Sequence, residues 1–142
     1  VYKRQSLHIE QIEDLVCTDS KWLGFIIEQL ISNAVKYSKD GGSVRIYTLH
    51  GSDGIKKNSK EDSLQLVIED TGIGISEEDI PRIMERGFTG YNGRLDKKSS
   101  GIGLYLCRKA ADRLGFVITF DASYKNGTRV VIDMTQRYTK HE

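Results

Sequence analysis

The sequence is poor in several things, and each scarcity narrows what it can be. One proline and two cysteines among 142 residues exclude a proline-rich repeat and a small disulfide-stapled scaffold. Cys17 and Cys107 lie far apart without metal-type spacing, each inside an apolar run, so both are expected as reduced core thiols. No apolar stretch approaches the roughly 20 residues that a membrane span needs. Neither sign of charge dominates: 21 Lys and Arg face 20 Asp and Glu, for a net charge of +1. That balance points to no nucleic-acid or other polyanionic partner, and any basic function must be local. There is no signal peptide, and Val1-Tyr2-Lys3-Arg4 reads as the cut end of a longer chain. With 38% hydrophobic and 29% charged residues, the chain reads as one soluble, monomeric globular domain over residues 1–142.

Periodicity supplies the elements. Ser6 to Ile12 alternates apolar and polar residues, which suits a strand. Thr18-Asp19-Ser20 is an N-cap signal, and Leu23, Ile26, Ile27, Leu30, Ile31 and Ala34 then recur at helical spacing up to Tyr37. Asp40-Gly41-Gly42 ends that helix. Strands follow at Val44 to Leu49 and Leu64 to Ile68, joined by a polar hairpin loop from His50 to Asp62. Ser76 should cap a short acidic helix carrying Glu77, Glu78 and Asp79, with Pro81 in its early part. Gly87 to Ser100 shows no period at all, and a loop of that length in a small domain is usually functional. A second helix spans Gly101 to Leu114, and strands at Phe116 to Phe120 and Thr128 to Met134 meet through Lys125-Asn126-Gly127. The expected fold is α+β: about three helices on one face of a mixed, mostly antiparallel sheet.

Three places carry chemistry. On the first helix Gln29, Asn33 and Lys36 form a polar stripe beside the apolar face. Asn33 offers a neutral oxygen suited to Mg²⁺, and Lys36 can meet a phosphate, although a solvated helix edge has the same pattern. Asp70-Thr71-Gly72-Ile73-Gly74 puts an acid at the end of a buried strand, where it needs a partner. Its glycines let backbone approach a flat ligand, and the carboxylate can accept from an exocyclic amine; a plain strand-to-helix turn is the alternative. Ser99-Ser100-Gly101-Ile102-Gly103-Leu104 opens a helix with glycines, which makes either an anion site or tight helix packing. The absence of a GKS or GKT run excludes a Walker loop, and no βαβ unit supports a dinucleotide fold.

Taken together and in order, these stretches resemble the boxes of the GHKL ATPase superfamily. Gln29 to Tyr37 is similar to its asparagine box, Asp70 to Gly74 to its first glycine box, and Ser100 to Leu104 to its second. Gly87-Phe88-Thr89-Gly90 resembles the phenylalanine box of sensor histidine kinases, and Gly127-Thr128 the Gly-Thr pair near the adenine. Around Trp22 to Tyr37, Gly87 to Arg94 and Gly103 to Asp112 the resemblance is strongest to kinases of the antibiotic-peptide-sensing type.

The resemblance implies a two-layer α/β sandwich, the Bergerat fold, that binds ATP with Mg²⁺. It implies that Asn33 ligates the metal and that Lys36 and Tyr37 lie beside the phosphates and ribose. Asp70 would take the adenine N6 amine, with Gly72, Gly74, Ile75 and Thr128 around the base. Phe88 would anchor a lid over residues 87–100 in which Arg94, Lys97 or Lys98 screens the phosphates. Ser100, Gly101, Ile102, Gly103 and Leu104 would hold the phosphates from the helix end. Charge agrees locally, since Arg82 to Lys98 holds five Lys or Arg against two acids. Hydrolysing relatives carry a glutamate at the position of Gln29; an amide there argues for phosphoryl transfer to an acceptor instead. Ser99 departs from the usual first glycine of the second box.

Histidine kinases carry their acceptor as a histidine followed by an acid, in a helix upstream. His8, His50 and His141 do not stand in that context. The resemblance therefore implies an upstream dimerisation and phosphohistidine module, a response regulator served through that module, and a cytoplasmic domain of a membrane-anchored protein. A catalytically inactive nucleotide switch and an anti-sigma-factor-type serine kinase share the fold and stay open as alternatives.

Overall fold

The computed structural model describes residues 6–10, 12, 18–38, 41–50, 63–88 and 102–135. Five strands form one sheet: β1 (Ser6–Ile9), β2 (Ser43–His50), β3 (Leu64–Asp70), β4 (Val117–Phe120) and β5 (Thr128–Asp133). Their spatial order is β1-β2-β3-β5-β4. β1 runs parallel to β2, and every other pairing is antiparallel. Two α-helices, α1 (Ser20–Tyr37) and α2 (Gly103–Leu114), pack on the sheet and against each other.

α1 begins where Asp19 Oδ1 accepts from the amides of Lys21 and Trp22, satisfying two donors that have no partner inside the helix. Ile26, Leu30 and Ala34 are its buried stripe. α2 buries Cys107, Ala110, Ala111 and Leu114 and stops at Gly115, whose φ of 76° is left-handed and costs a glycine little. Cys107 Sγ lies 4.0 Å from the Ile26 carbonyl oxygen, so the two helices touch directly. Burial pushes the Cys107 thiol up to about 12, which leaves it an inert core group.

Strand register sorts side chains to two faces. Ile46, Ile68, Val130 and Phe120 stand in one cross-sheet row, and Leu66, Ile132 and Ile118 in the next, all buried beneath the helices. β3 is the central strand and is buried along its whole length, including Gln65 and Val67 on the face away from the helices.

Three expectations need correction. The first strand ends at Ile9, not Ile12, with one further ladder bond from the Glu10 amide to the Ile46 carbonyl. The acidic segment after Ser76 is not an α-helix. Ser76 Oγ and its carbonyl do accept from the Asp79 amide, and the same carbonyl accepts from Ile80. Pro81 then has no N–H for the next helical bond, and the chain continues as a 3₁₀ turn over Ile80–Arg82. Two α-helices, rather than about three, are therefore seen among the described residues. The proposed hairpin loop falls almost entirely on residues 51–62, outside the described residues.

Candidate functional site

At one end of the sheet β3 finishes in Asp70, which is only 5% exposed. Its Oδ1 accepts from the Gly72 amide at 2.8 Å and from the Thr128 amide at 3.2 Å. Oδ2 accepts from no described residue. Burial pushes the carboxyl upward from its ordinary range, and the two amide bonds pull the other way. Oδ2 is not among the side-chain atoms buried without a partner, so it stays open to water or to a donor on a ligand.

Three close approaches draw the polar segments around it. A Cβ at Gly72 would sit 2.3 Å from the Tyr37 carbonyl oxygen, so only glycine lets the strand end meet the end of α1. The Ile73 amide donates to that same carbonyl at 3.2 Å. A Cβ at Gly127 would sit 2.0 Å from the Asp70 carbonyl oxygen, which seats the β4–β5 turn directly on β3. Gly74, at a left-handed φ of 75°, faces the Gly127 carbonyl. Across the helices, Gln29 Oε1 occupies space 2.8 Å from where a Cβ at Gly103 would be. That contact involves a flexible side chain, yet it joins the middle of α1 to the first turn of α2.

The structure thus brings Tyr37, Asp70, Gly72, Gly74 and Thr128 together at one end of the sheet, and separately sets Gln29 against Gly103 between the two helices. Asn33, Lys36 and Tyr37 lie half-buried along α1, on the edge between its core stripe and solvent. Lys36 Nζ rests 5.3 Å from the centre of the Tyr37 ring. Ile75 and Leu104 are partly buried against the core, and Ile102 caps α2. Phe88 is stacked under the Arg82 guanidinium at 4.6 Å. Arg94, Lys97, Lys98, Ser99, Ser100 and Gly101 lie outside the described residues.

Among the described residues no cluster of His, Cys, Asp and Glu could hold a metal by itself. Magnesium does not require one: it keeps most of its waters and binds through one or two protein oxygens plus substrate phosphates. Asn33, a lone neutral oxygen on a half-buried edge, fits that use.

Several neighbours were not foreseen from the sequence. A cleft of about 300 Å³ opens beside the Asp70 end of the sheet, between Ile73–Ile80 and the β4–β5 turn. It shares Gly74, Ile75 and Thr128 with the expected base pocket, but its walls also include Phe120, Tyr124 and Arg129, and it does not reach Asn33 or Lys36. Arg129 donates to Glu69 at 2.8 Å and to Asp121 at 3.2 Å, and stacks on Tyr124 at 4.2 Å. The period-2 pattern of β3 and β5 puts Glu69 and Arg129 on the face opposite Asp70, but only the register shows that they are neighbours.

Comparison with known proteins matches residues 18–137 to the family model for histidine kinase-, DNA gyrase B- and HSP90-like ATPases. The sensor protein kinase GraS of Staphylococcus aureus (strain JH1) is 39% identical over 120 residues, 84% of this chain and 32% of that protein. The sensor protein BceS of Bacillus subtilis (strain 168) is 41% identical over 113 residues, 80% of this chain and 31% of that protein. The chain thus spans about a third of the length of the curated relatives it matches. Among solved structures, a mycobacterial sensor histidine kinase, MprB, superposes with a TM-score of 0.72 at 25% identity, covering 92% of this chain and 82% of that one. The catalytic domain of the histidine kinase ThkA shares the fold, with a TM-score of 0.68 at 20% identity over 92% of this chain and 78% of its own.

Proposed function

Because the chain belongs to the histidine kinase-, DNA gyrase B- and HSP90-like ATPase family, we propose that it is the ATP-binding catalytic domain of a sensor histidine kinase. In this reading it passes the γ-phosphate of Mg-ATP to a histidine on a separate dimerisation module, which in turn serves a response regulator. The observation that carries the reading is Asp70: buried, anchored through Oδ1 by two backbone amides, with Oδ2 left for a donor. An adenine N6 amine supplies that donor, and a guanine, with a carbonyl at the same position, does not.

The other roles follow from placement. Asn33 would give a magnesium ion its protein oxygen, and the ion would supply positive charge against the phosphates. Lys36 and Tyr37 lie one turn further along the same helix edge, toward phosphate and ribose. Ile102, Gly103 and Leu104 offer the unpaired amides of α2's first turn to phosphate oxygens, with Ser100, Gly101, Arg94 and Lys98 joining from the segment before it. Gln29, an amide in contact with Gly103, cannot take a proton from water, which favours transfer to an acceptor over hydrolysis. No described helix is long and apolar enough to cross a membrane; in this reading the chain is the cytoplasmic part of a membrane-anchored protein.

Calorimetry on the purified chain tests the reading. ATP should bind well and GTP poorly, and Asp70→Asn should weaken ATP by about 1.5–3 kcal/mol, the scale of a hydrogen bond to a charged group. Asn33→Ala should abolish the magnesium-dependent part of the affinity, so that EDTA has no further effect on the variant. With γ-labelled ATP the chain alone should label itself poorly, and should label a histidine-bearing module slowly in trans. Equal affinities for ATP and GTP would remove Asp70 from the site. Robust acid-labile label on the isolated chain would make one of its own histidines an acceptor.

A further inference from the structure

Thr128 is the first residue of β5, pairs with Asp70 across the sheet, and its amide donates to the Asp70 side chain. Where that donor points depends on how the β4–β5 turn, residues 121–127, is held against β3. The seating is tight, with Gly127 pressed on the Asp70 carbonyl. One side chain spans the whole arrangement. Arg129 Nε donates to Glu69 on β3, the residue before Asp70. Its Nη1 donates to Asp121, where the turn begins. The flat guanidinium covers the Tyr124 ring in the middle of the turn, and the Tyr124 hydroxyl lies 3.5 Å from the Asp70 carbonyl. Asp121 in turn accepts from the amide and hydroxyl of Ser123, which fixes the carboxylate that Arg129 grips. Arginine suits this task because its planar fork can bond two carboxylates while stacking on a ring; lysine cannot do all three.

We propose that Arg129, acting through Tyr124 and Asp121, is a positioning residue for purine selection: it seats the β4–β5 turn so that the Thr128 amide holds Asp70 Oδ1 and leaves Oδ2 aimed at the base. Arg129 leaves the sheet on the face opposite Asp70 and, with Tyr124, forms one wall of the cleft beside Gly74 and Thr128; in this account it acts on the base through the turn it holds. The inference rests on Asp70 reading the exocyclic amine, as proposed above. It adds that the selectivity is set from the far side of the sheet.

The test compares affinities for ATP and for inosine triphosphate, which lacks the N6 amine, in the wild-type chain and in Arg129→Met, Arg129→Lys and Tyr124→Leu. Arg129→Met should lose about five- to tenfold for ATP, somewhat less than the full loss of one hydrogen bond to a charged group because Asp70 is kept and only misaligned, and little for inosine triphosphate. The preference for ATP should shrink by the same factor. Arg129→Lys should fall between, keeping the charge without the fork and the stack. Thermal unfolding run alongside separates this from loss of fold, since general destabilisation lowers the melting temperature and leaves the ratio unchanged. An unchanged ratio in folded Arg129→Met overturns the inference. If that variant does not fold, Tyr124→Leu, which removes the ring that Arg129 stacks on and the hydroxyl beside the Asp70 carbonyl, decides: a reduced ratio supports the inference and a wild-type ratio overturns it. A wild-type chain with no preference for ATP would instead remove Asp70 from base recognition and leave Arg129 nothing to position.

Discussion

On the helix-covered face of the sheet, Ile46, Ile68, Val130 and Ile132 meet Ile26, Leu30, Cys107 and Ala111 in a core without a charged group until Asp70. On the opposite face the same central strands line up Arg45, Glu69 and Arg129 in one cross-strand row. Glu69 accepts from Arg129 at 2.8 Å and from the Tyr47 hydroxyl at 3.0 Å, with Arg45 at 3.6 Å. The first face holds the domain together by excluding water. The second fixes register, because opposite charges in a cross-strand row match in one alignment only. Asp70 sits where the two regimes meet: it points to the helix side, while the residue before it and the residue after its partner Thr128 belong to the charged row.

The largest break in this contrast comes from the covered face. Ile68→Ala removes a side chain that is 1% exposed from the middle of the central strand, and should cost about 2–5 kcal/mol through lost burial and the cavity left behind. Urea unfolding with an unchanged slope would read that loss as a lower midpoint. A cost below about 1 kcal/mol would mean that the core relaxes around the hole.

The charged row should be worth less. Glu69→Gln keeps the shape and an acceptor oxygen for Arg129 and Tyr47, but removes the charge between two guanidiniums. The Arg45 and Arg129 side chains are 50% and 26% exposed, so water screens them and the expected cost is about 1–2 kcal/mol. A double-mutant cycle with Arg129→Met isolates the pair. A loss as large as that of Ile68→Ala would show that the charged row carries as much of the stability as the helix-covered core.

Much of this layout was legible in the sequence where a local pattern carries it. The Asp19 cap, the helical stripe of α1 and the alternation of β2, β3 and β5 are short-range signals, and the observed elements follow them to within a residue or two. Pro81 misled because its meaning depends on counting from Ser76: at the fifth position it deletes a needed bond, whereas at the first it would favour a helix. Asp70-Thr71-Gly72 announced a close approach, and Gly72 meets the Tyr37 carbonyl as a glycine must. The grip of Arg129 on Glu69 and Asp121 stayed hidden, since it exists only once β3 and β5 are paired in register. Gln29 against Gly103 is of the same kind, a contact between helices far apart in the chain.

The smallest effect is the most discriminating, because Asp70 should contribute with opposite signs to binding and to stability. Its carboxyl is held above the ordinary range chiefly by burial, with the Gly72 and Thr128 amides only partly offsetting it. In the interval between the ordinary carboxylate value, about 3.9, and the raised folded value, the folded chain keeps a proton that the unfolded chain has lost. Stability therefore falls as pH rises through that interval, and the penalty is fully present above it. Asp70→Asn keeps an oxygen for the two amides and carries no charge. Without nucleotide it should raise the melting temperature at pH 7 by about 1–3 °C, a fraction of a kcal/mol for a domain of this size. The advantage over wild type should shrink as pH falls through the folded value, with the ionisation part gone below the ordinary one. The same substitution should weaken ATP, so one residue would give up stability in the empty domain in order to recognise the base. Melting curves of both proteins from pH 3 to pH 8 read this directly. If Asp70→Asn is less stable than wild type at pH 7, with the gap closing toward acid, then the backbone amides outweigh burial and the carboxylate is a structural anchor instead of a group held ready for a ligand.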